Sequence, residues 1–132
     1  MQEYQAHINL ERSSSVKAIN INDKKYPFTE WILELLKSVE TRETKSLHSL
    51  IGQRVGIIRT GRGKAMLVGY ADITGVIEYD SKEAFRADYD RHMVQAGSMY
   101  DIKTKKYGYI LENVVRCDPV SVTSRGIVIR NI

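Results

Sequence analysis

The chain has 132 residues, 42% of them hydrophobic and 27% charged, with a single cysteine and a formal net charge of +4. That length predicts one domain able to bury roughly two-thirds of its unfolded surface, and a lone Cys117 excludes an intramolecular disulfide and a cysteine-built zinc site. No apolar run reaches the roughly 18 residues of a membrane helix, and Met1-Gln2-Glu3-Tyr4-Gln5 lacks the apolar stretch of a secretory signal, so a cytoplasmic protein off the membrane is expected.

In chain order, residues 1–15 end in Ser13-Ser14-Ser15 and read as a tail or edge segment, leaving 16–132 as the single domain. Val16 to Ile21 predicts a short strand. Pro27 suits the first turn of a helix, where its missing N–H costs nothing. Phe28, Trp31, Ile32, Leu35 and Leu36 then recur at helical spacing, which predicts one buried face. From Ser38 to Glu43 the period changes to two, which puts Glu40 and Arg42 on one face of a strand. Gly52 marks a turn before the strand Arg54 to Arg59, and Thr60-Gly61-Arg62-Gly63-Lys64 reads as a hairpin turn.

A long strand from Ala65 to Tyr79 follows. Strict alternation would put Leu67, Gly69, Ala71, Ile73, Gly75, Ile77 and Tyr79 on one face, and Tyr70, Asp72, Thr74 and Glu78 on the other. Asp80 and Glu83 have capping-box spacing and start a second helix, with Phe85 and Tyr89 expected on its buried side. Residues 96–106 are loop-like, Tyr107 to Val115 is a strand, and Arg125 to Ile132 a last one. Strands dominate and two helices interrupt them, so the expected class is α+β, a small and strongly bent sheet or barrel.

The charge is unevenly placed. Lys45, Arg54, Arg59, Arg62 and Lys64 fall in a stretch, 45–71, without a single acid, while six acids crowd 72–90. One reading is an anion-binding face opposite a solvating one. The other is that the two blocks pair with each other.

Nucleotide and catalytic fingerprints fail. Gly56 to Gly61 has the glycine spacing of a P-loop, but Arg62 stands where Lys-Ser/Thr is required, and Met66 breaks a GxGxxG. His7, His48 and His92 lack metal-ligand spacing, and His92, at helical spacing from Phe85 and Tyr89, reads as a packing or surface residue. Neither a metal nor a cofactor is expected. What remains is Lys37-Ser38-Val39-Glu40-Thr41-Arg42 at a helix-to-strand corner. Lys37 suits a helix C-terminus and Glu40 with Arg42 suits an ion pair, yet the same three groups can grip a base or nucleoside.

This segment, with Ala18-Ile19-Asn20-Ile21 and the Trp31 helix before it, resembles the opening of ASCH domains, a branch of the PUA-like superfamily. Their GxKxxExR signature is matched at Lys37, Glu40 and Arg42, with Leu35 in place of the glycine. Gly52 to Ile58, Val68-Gly69-Tyr70 and Tyr107 to Leu111 resemble later strands of the family, so the likeness spans about residues 16–122. The resemblance implies a small PUA-like β-barrel with two main helices, a cleft into which the corner projects, and an RNA-related role. Some members are amidohydrolases that deacetylate N4-acetylcytidine with this lysine and a threonine. Glu40 stands in the threonine's place, and a carboxylate does not replace a hydroxyl in acyl transfer.

The first functional expectation is an RNA- or nucleotide-binding module. Arg59, Arg62 and Lys64 would meet phosphates, Lys37, Glu40 and Arg42 would line the cleft, and Tyr107 or Tyr109 would stack on a base unless they are core. The alternative is a small hydrolase on a modified nucleoside or RNA, with Lys37 and Glu40 as its acid–base groups. A third is a protein-interaction domain whose basic strip meets an acidic partner. Oligomeric state and ligand identity stay open.

Overall fold

The computed structural model describes residues 16–122 and 129–131; the expected N-terminal tail and most of the last strand lie outside them. Nine elements and one turn of 3-10 helix at His48–Leu50 follow in order. They are β1 (Lys17–Asn22), α1 (Phe28–Leu33), β2 (Val39–Arg42), β3 (Arg54–Thr60), β4 (Met66–Tyr79), α2 (Lys82–Ala87), α3 (Tyr89–His92), β5 (Lys106–Ser121) and β6 (Ile129–Asn131). The strands form one sheet in the order β2-β5-β4-β3-β1-β6, antiparallel except for the β1–β3 pair. The class is α+β, as expected. Among the described residues the sheet is not closed by a hydrogen-bond ladder: β2 and β6 are its edges. Among the described residues no helix is long and apolar enough to cross a membrane.

The main core joins Ile19 and Ile21 of β1, Phe28 and Ile32 of α1, Val55 and Ile57 of β3, Ala71 and Ile73 of β4, and Tyr109 and Leu111 of β5. Ala18, Ile58, Ala65 and Leu67 pack together separately, and Tyr79, Phe85, Val94 and Ile102 hold α2 and the 94–102 loop. The expected single-face alternation of β4 fails. Register shifts at Leu67/Gly69, Tyr70/Asp72 and Ile73/Gly75 interrupt its ladder with β5, so Val68 and Ala71 share the main core while Leu67 faces another cluster. Each bulge changes the parity and sharpens the bend.

Three further local expectations are corrected. The helix cap is the Ser81 side chain, which accepts the Ala84 N–H at 3.1 Å, rather than Asp80. Tyr89 is exposed because α2 stops at Ala87 before a separate turn. The basic stretch does not form one face. Arg54 opens β3 and Arg62 lies past its other end, ~20 Å apart for a strand of this length, and Arg54 is taken by Asp72 at 3.0 Å.

The helical pattern from Phe28 also ends early. Phe28 and Ile32 are buried, but Leu35 and Leu36 are 72% and 52% exposed. Leu35 sits at φ +66, its N–H reaches Ile32 O at 3.0 Å, and the Leu36 N–H reaches Trp31 O at 2.8 Å. This is a Schellman stop with leucine in the left-handed position that favours glycine. At the helix start Pro27 offers no side-chain cap, and Asp23 substitutes, accepting Thr29 N–H at 3.1 Å and Thr29 Oγ1–H at 2.5 Å. Leu35→Gly removes the left-handed strain and loses no buried contact. It is expected to stabilise the protein by about 1 kcal/mol, read as a melting temperature roughly 3 °C higher; an unchanged or lower value contradicts this account of the helix stop.

Candidate functional site

The Schellman stop turns the chain sharply, and the next two residues dock on the end of α3. Ser38 N–H donates to Arg91 O at 2.8 Å, and the Lys37 ammonium donates to the His92 carbonyl. The Lys37 side chain therefore satisfies a carbonyl at the end of α3, not one of its own helix as the sequence led us to expect. The ammonium is buried, 3.7 Å from Glu40 Oε1 and 4.7 Å from the centre of the Phe28 ring. Burial pulls its pKa down to about 8, against the opposing attraction of Glu40.

Glu40 is buried too, and its other oxygen accepts from Arg42 Nη1 at 2.8 Å. Arg42 Nη2 then donates to Asn20 O of β1 at 2.8 Å. Arg42 thus spans the gap between β2 and β1, which no ladder joins. Below this bridge lies a pocket lined by Ile21, Asn22, Phe28, Lys37, Glu40, Thr41, Arg42 and Tyr100. Its cavity volume is about 70 Å³, well below the roughly 300–1,000 Å³ of drug-sized ligand sites, so it is an open notch that takes the edge of a ligand rather than enclosing it.

The hairpin meets the rim of this pocket. Asn22 is in register with Thr60, Asp23 N–H donates to Thr60 O at 2.8 Å, and Arg62 Nε donates to Asp23 O at 2.7 Å. Gly61 turns at φ +85 directly against Asn22, where a Cβ would strike that side chain. Arg62 and Lys64 are exposed in this turn. Arg59 is not a pocket residue; its charge acts on Glu30 of α1. Around the site, Lys37, Arg42 and Arg62 oppose Glu40 and Asp23, whose carboxyl burial shifts upward. With both acids ionised, one positive charge is left over.

The tyrosines expected to stack are core. Tyr109 has no exposed surface and its hydroxyl lies 2.7 Å from His48 Nδ1, while Tyr107 is buried with its ring edge-on to His48. Both sit on the inward face of β5, so neither reaches a ligand. The aromatics at the pocket are Phe28 and Tyr100, the latter edge-on to Phe28 and Tyr26. Its loop is fixed by Asp101, which accepts the Gly97 and Ile102 N–H groups and is held at about 2 by Arg86. No periodicity marks Tyr100 or Asn22 in the sequence, because both reach the pocket from a loop or a strand end. His92 is a satisfied core residue: Nδ1 accepts Val94 N–H at 2.9 Å and Nε2 donates to Phe85 O at 2.6 Å. Burial lowers its pKa and favours this neutral form. Among the described residues no group of side chains could hold a metal ion.

Compared as a sequence, the chain matches no protein-family model and no curated protein. Compared by fold, it is similar to ASCH proteins from Zymomonas mobilis. A serine-to-alanine mutant gives a TM-score of 0.70 at 15% identity, over 88% of this chain and 87% of that one. A second structure, of ASCH from the same organism, gives 0.64 at 14% identity over 83% and 76%. A tyrosine-to-phenylalanine mutant gives 0.54 at 17% identity over 80% and 75%.

The lowered Lys37 pKa makes stability depend on pH in a definite direction. Below about 8 the lysine is charged in folded and unfolded chains, and the folded state carries the full burial cost. Between about 8 and 10.5 the unfolded chain binds more protons, so stability rises with pH. The stability of wild type relative to Lys37→Met is expected to increase by about 3 kcal/mol from pH 7 to pH 10.5. Denaturant unfolding of both proteins across that range checks it, and a constant difference contradicts the buried charge.

Proposed function

We propose, from the ASCH fold the chain adopts, that it is an RNA- or nucleotide-binding module acting in the cytoplasm. The pocket beneath the Arg42 bridge takes a base or nucleoside, and the hairpin at its rim takes phosphate. The observation that carries this reading is proximity: Lys37, Glu40 and Arg42 line one pocket with Asn22, and Arg62 donates to the carbonyl of Asp23, the residue after Asn22. Lys37, charged at neutral pH, and Arg42, in the bridge above, supply positive potential to it. Glu40 fixes both cations and presents carboxylate oxygen toward an exocyclic amine. Tyr100 offers an aromatic face or edge. Arg62 and Lys64 are the phosphate contacts, and Arg59 is left out of the set.

A second reading rests on the same lysine. A buried amine with a pKa near 8 is poised to exchange a proton near neutral pH. With Glu40 at 3.7 Å, it would serve a hydrolase acting on a modified nucleoside or on RNA. Incubation with acetylated nucleosides and with RNA separates the two readings: turnover abolished by Lys37→Ala supports the enzyme, and none on either substrate leaves binding.

For the binding reading, anisotropy of a labelled single-stranded RNA is expected to fall steeply with added salt. Arg62→Ala with Lys64→Ala removes two phosphate contacts and is expected to reduce the log–log salt slope by about 1.4. Absence of binding at low salt, or a slope untouched by the double substitution, contradicts it.

A further inference from the structure

The pocket is also a gap in a β-sheet, and register fixes which backbone groups face it. In the β2–β5 ladder Glu40 is opposite Tyr109 and Arg42 opposite Tyr107, and the Leu111 N–H donates to Ser38 O at 2.9 Å. Antiparallel pairing alternates, so residues 38, 40 and 42 turn their N–H and C=O toward β5. Val39 and Thr41 turn theirs toward the open edge. On β1, Asp23 N–H and Ile21 O face β3, through Thr60 O and Thr60 Oγ1. The even residues therefore face away, which is where Asn20 O receives Arg42. Asn22, beyond the β6 pairing at Lys17–Ile19, turns its N–H and C=O the same way.

Two strand edges thus face one another across the pocket, and both Thr41 and Asn22 line it. Val39 has no exposed surface, so β2 offers the pocket one residue of free edge. No backbone hydrogen bond of Thr41 to another described residue lies outside the strand ladders. An added peptide strand does not fit, because one residue is too short a ladder and the Arg42–Asn20 bridge closes the end. A flat heterocycle with adjacent donor and acceptor does fit: its edge matches the N–H and C=O of a single residue.

Resting on the nucleotide-binding reading above, we infer that the base is read by the main chain of Thr41. Its N–H donates to, and its C=O accepts from, the hydrogen-bonding edge of the base, while Tyr100 packs against it from the loop. The Thr41 hydroxyl is not the reader. Because every base carries such a donor–acceptor pair, shape and the Glu40 carboxylate choose among bases, and Thr41 separates a base-bearing ligand from a bare sugar phosphate.

The test titrates the four ribonucleoside 5′-monophosphates and ribose 5-phosphate into wild type, Thr41→Pro and Thr41→Val by calorimetry. Proline removes the outward N–H, which an edge strand tolerates, together with the hydroxyl; valine keeps the N–H and removes the hydroxyl alone. The expected result is that wild type binds at least one nucleotide better than ribose 5-phosphate. Thr41→Pro should bind that nucleotide about tenfold more weakly, and Thr41→Val should match wild type. If wild type binds and Thr41→Pro binds equally, or if Thr41→Val loses as much as Thr41→Pro, the inference is overturned and the binding function stands. If wild type binds neither the nucleotides nor RNA, the functional reading itself falls. Should Thr41→Pro not fold, the Thr41 amide resonance of wild type decides: a downfield shift on saturation supports the contact, and an unmoved resonance overturns it.

Discussion

The rest of the site depends on one buried ammonium. Lys37 is the point where α1, the start of β2 and the end of α3 meet, and its three neighbours come one from each: Phe28, Glu40 and the His92 carbonyl. Taking a lysine out of water is costly, as its depressed pKa records. Glu40 and the His92 carbonyl offset that cost, and Arg42 in turn satisfies the second oxygen of Glu40. Such a chain of charges contributes little net stability, but removing one member leaves another buried and unpaired. The corner is therefore rigid because no member can move alone. This is a property that suits a binding site better than a core.

The second constraint is the seam. A coiled sheet that stops short of closure leaves main-chain donors and acceptors on facing edges, and a bare edge invites aggregation. Here a short edge strand, β6 on part of β1, and the Arg42 guanidinium on Asn20 cover most of it. Among the described residues, what stays uncovered is the one-residue opening at Thr41, under a positive bridge and beside Tyr100. The same arginine thus completes the fold across the gap and forms the roof of the pocket.

Much of this was legible in the sequence because it follows from period and charge. The strand parity of Glu40 and Arg42 gave their pairing, and the glycines at 61 and 63 gave the hairpin. The ASCH likeness came from the Lys37–Arg42 segment in its order along the chain. Other features were not legible because tertiary contacts decide them. Leu35 and Leu36 continue the helical period but follow a left-handed stop that leucine seldom makes. The bulges in β4 swap faces, and only Met66, Val68 and Val76, apolar residues on the otherwise polar parity, depart from the alternation in its sequence. Arg54 looks like part of a basic strip until the hairpin returns Asp72 to it. Tyr100 reaches the pocket from a loop with no pattern at all, whereas Tyr107 and Tyr109, in a pattern of the expected kind, face inward.

The central claim is that a buried, charged Lys37 organises the corner. Nuclear magnetic resonance titration of the lysine side chains, with the Lys37 signal assigned by its loss in Lys37→Arg, measures this directly. The account predicts one lysine with a midpoint near 8, displaced from the ordinary value of 10.5. A Lys37 midpoint at the ordinary value would mean that the ammonium is solvated and that the corner is not built around it.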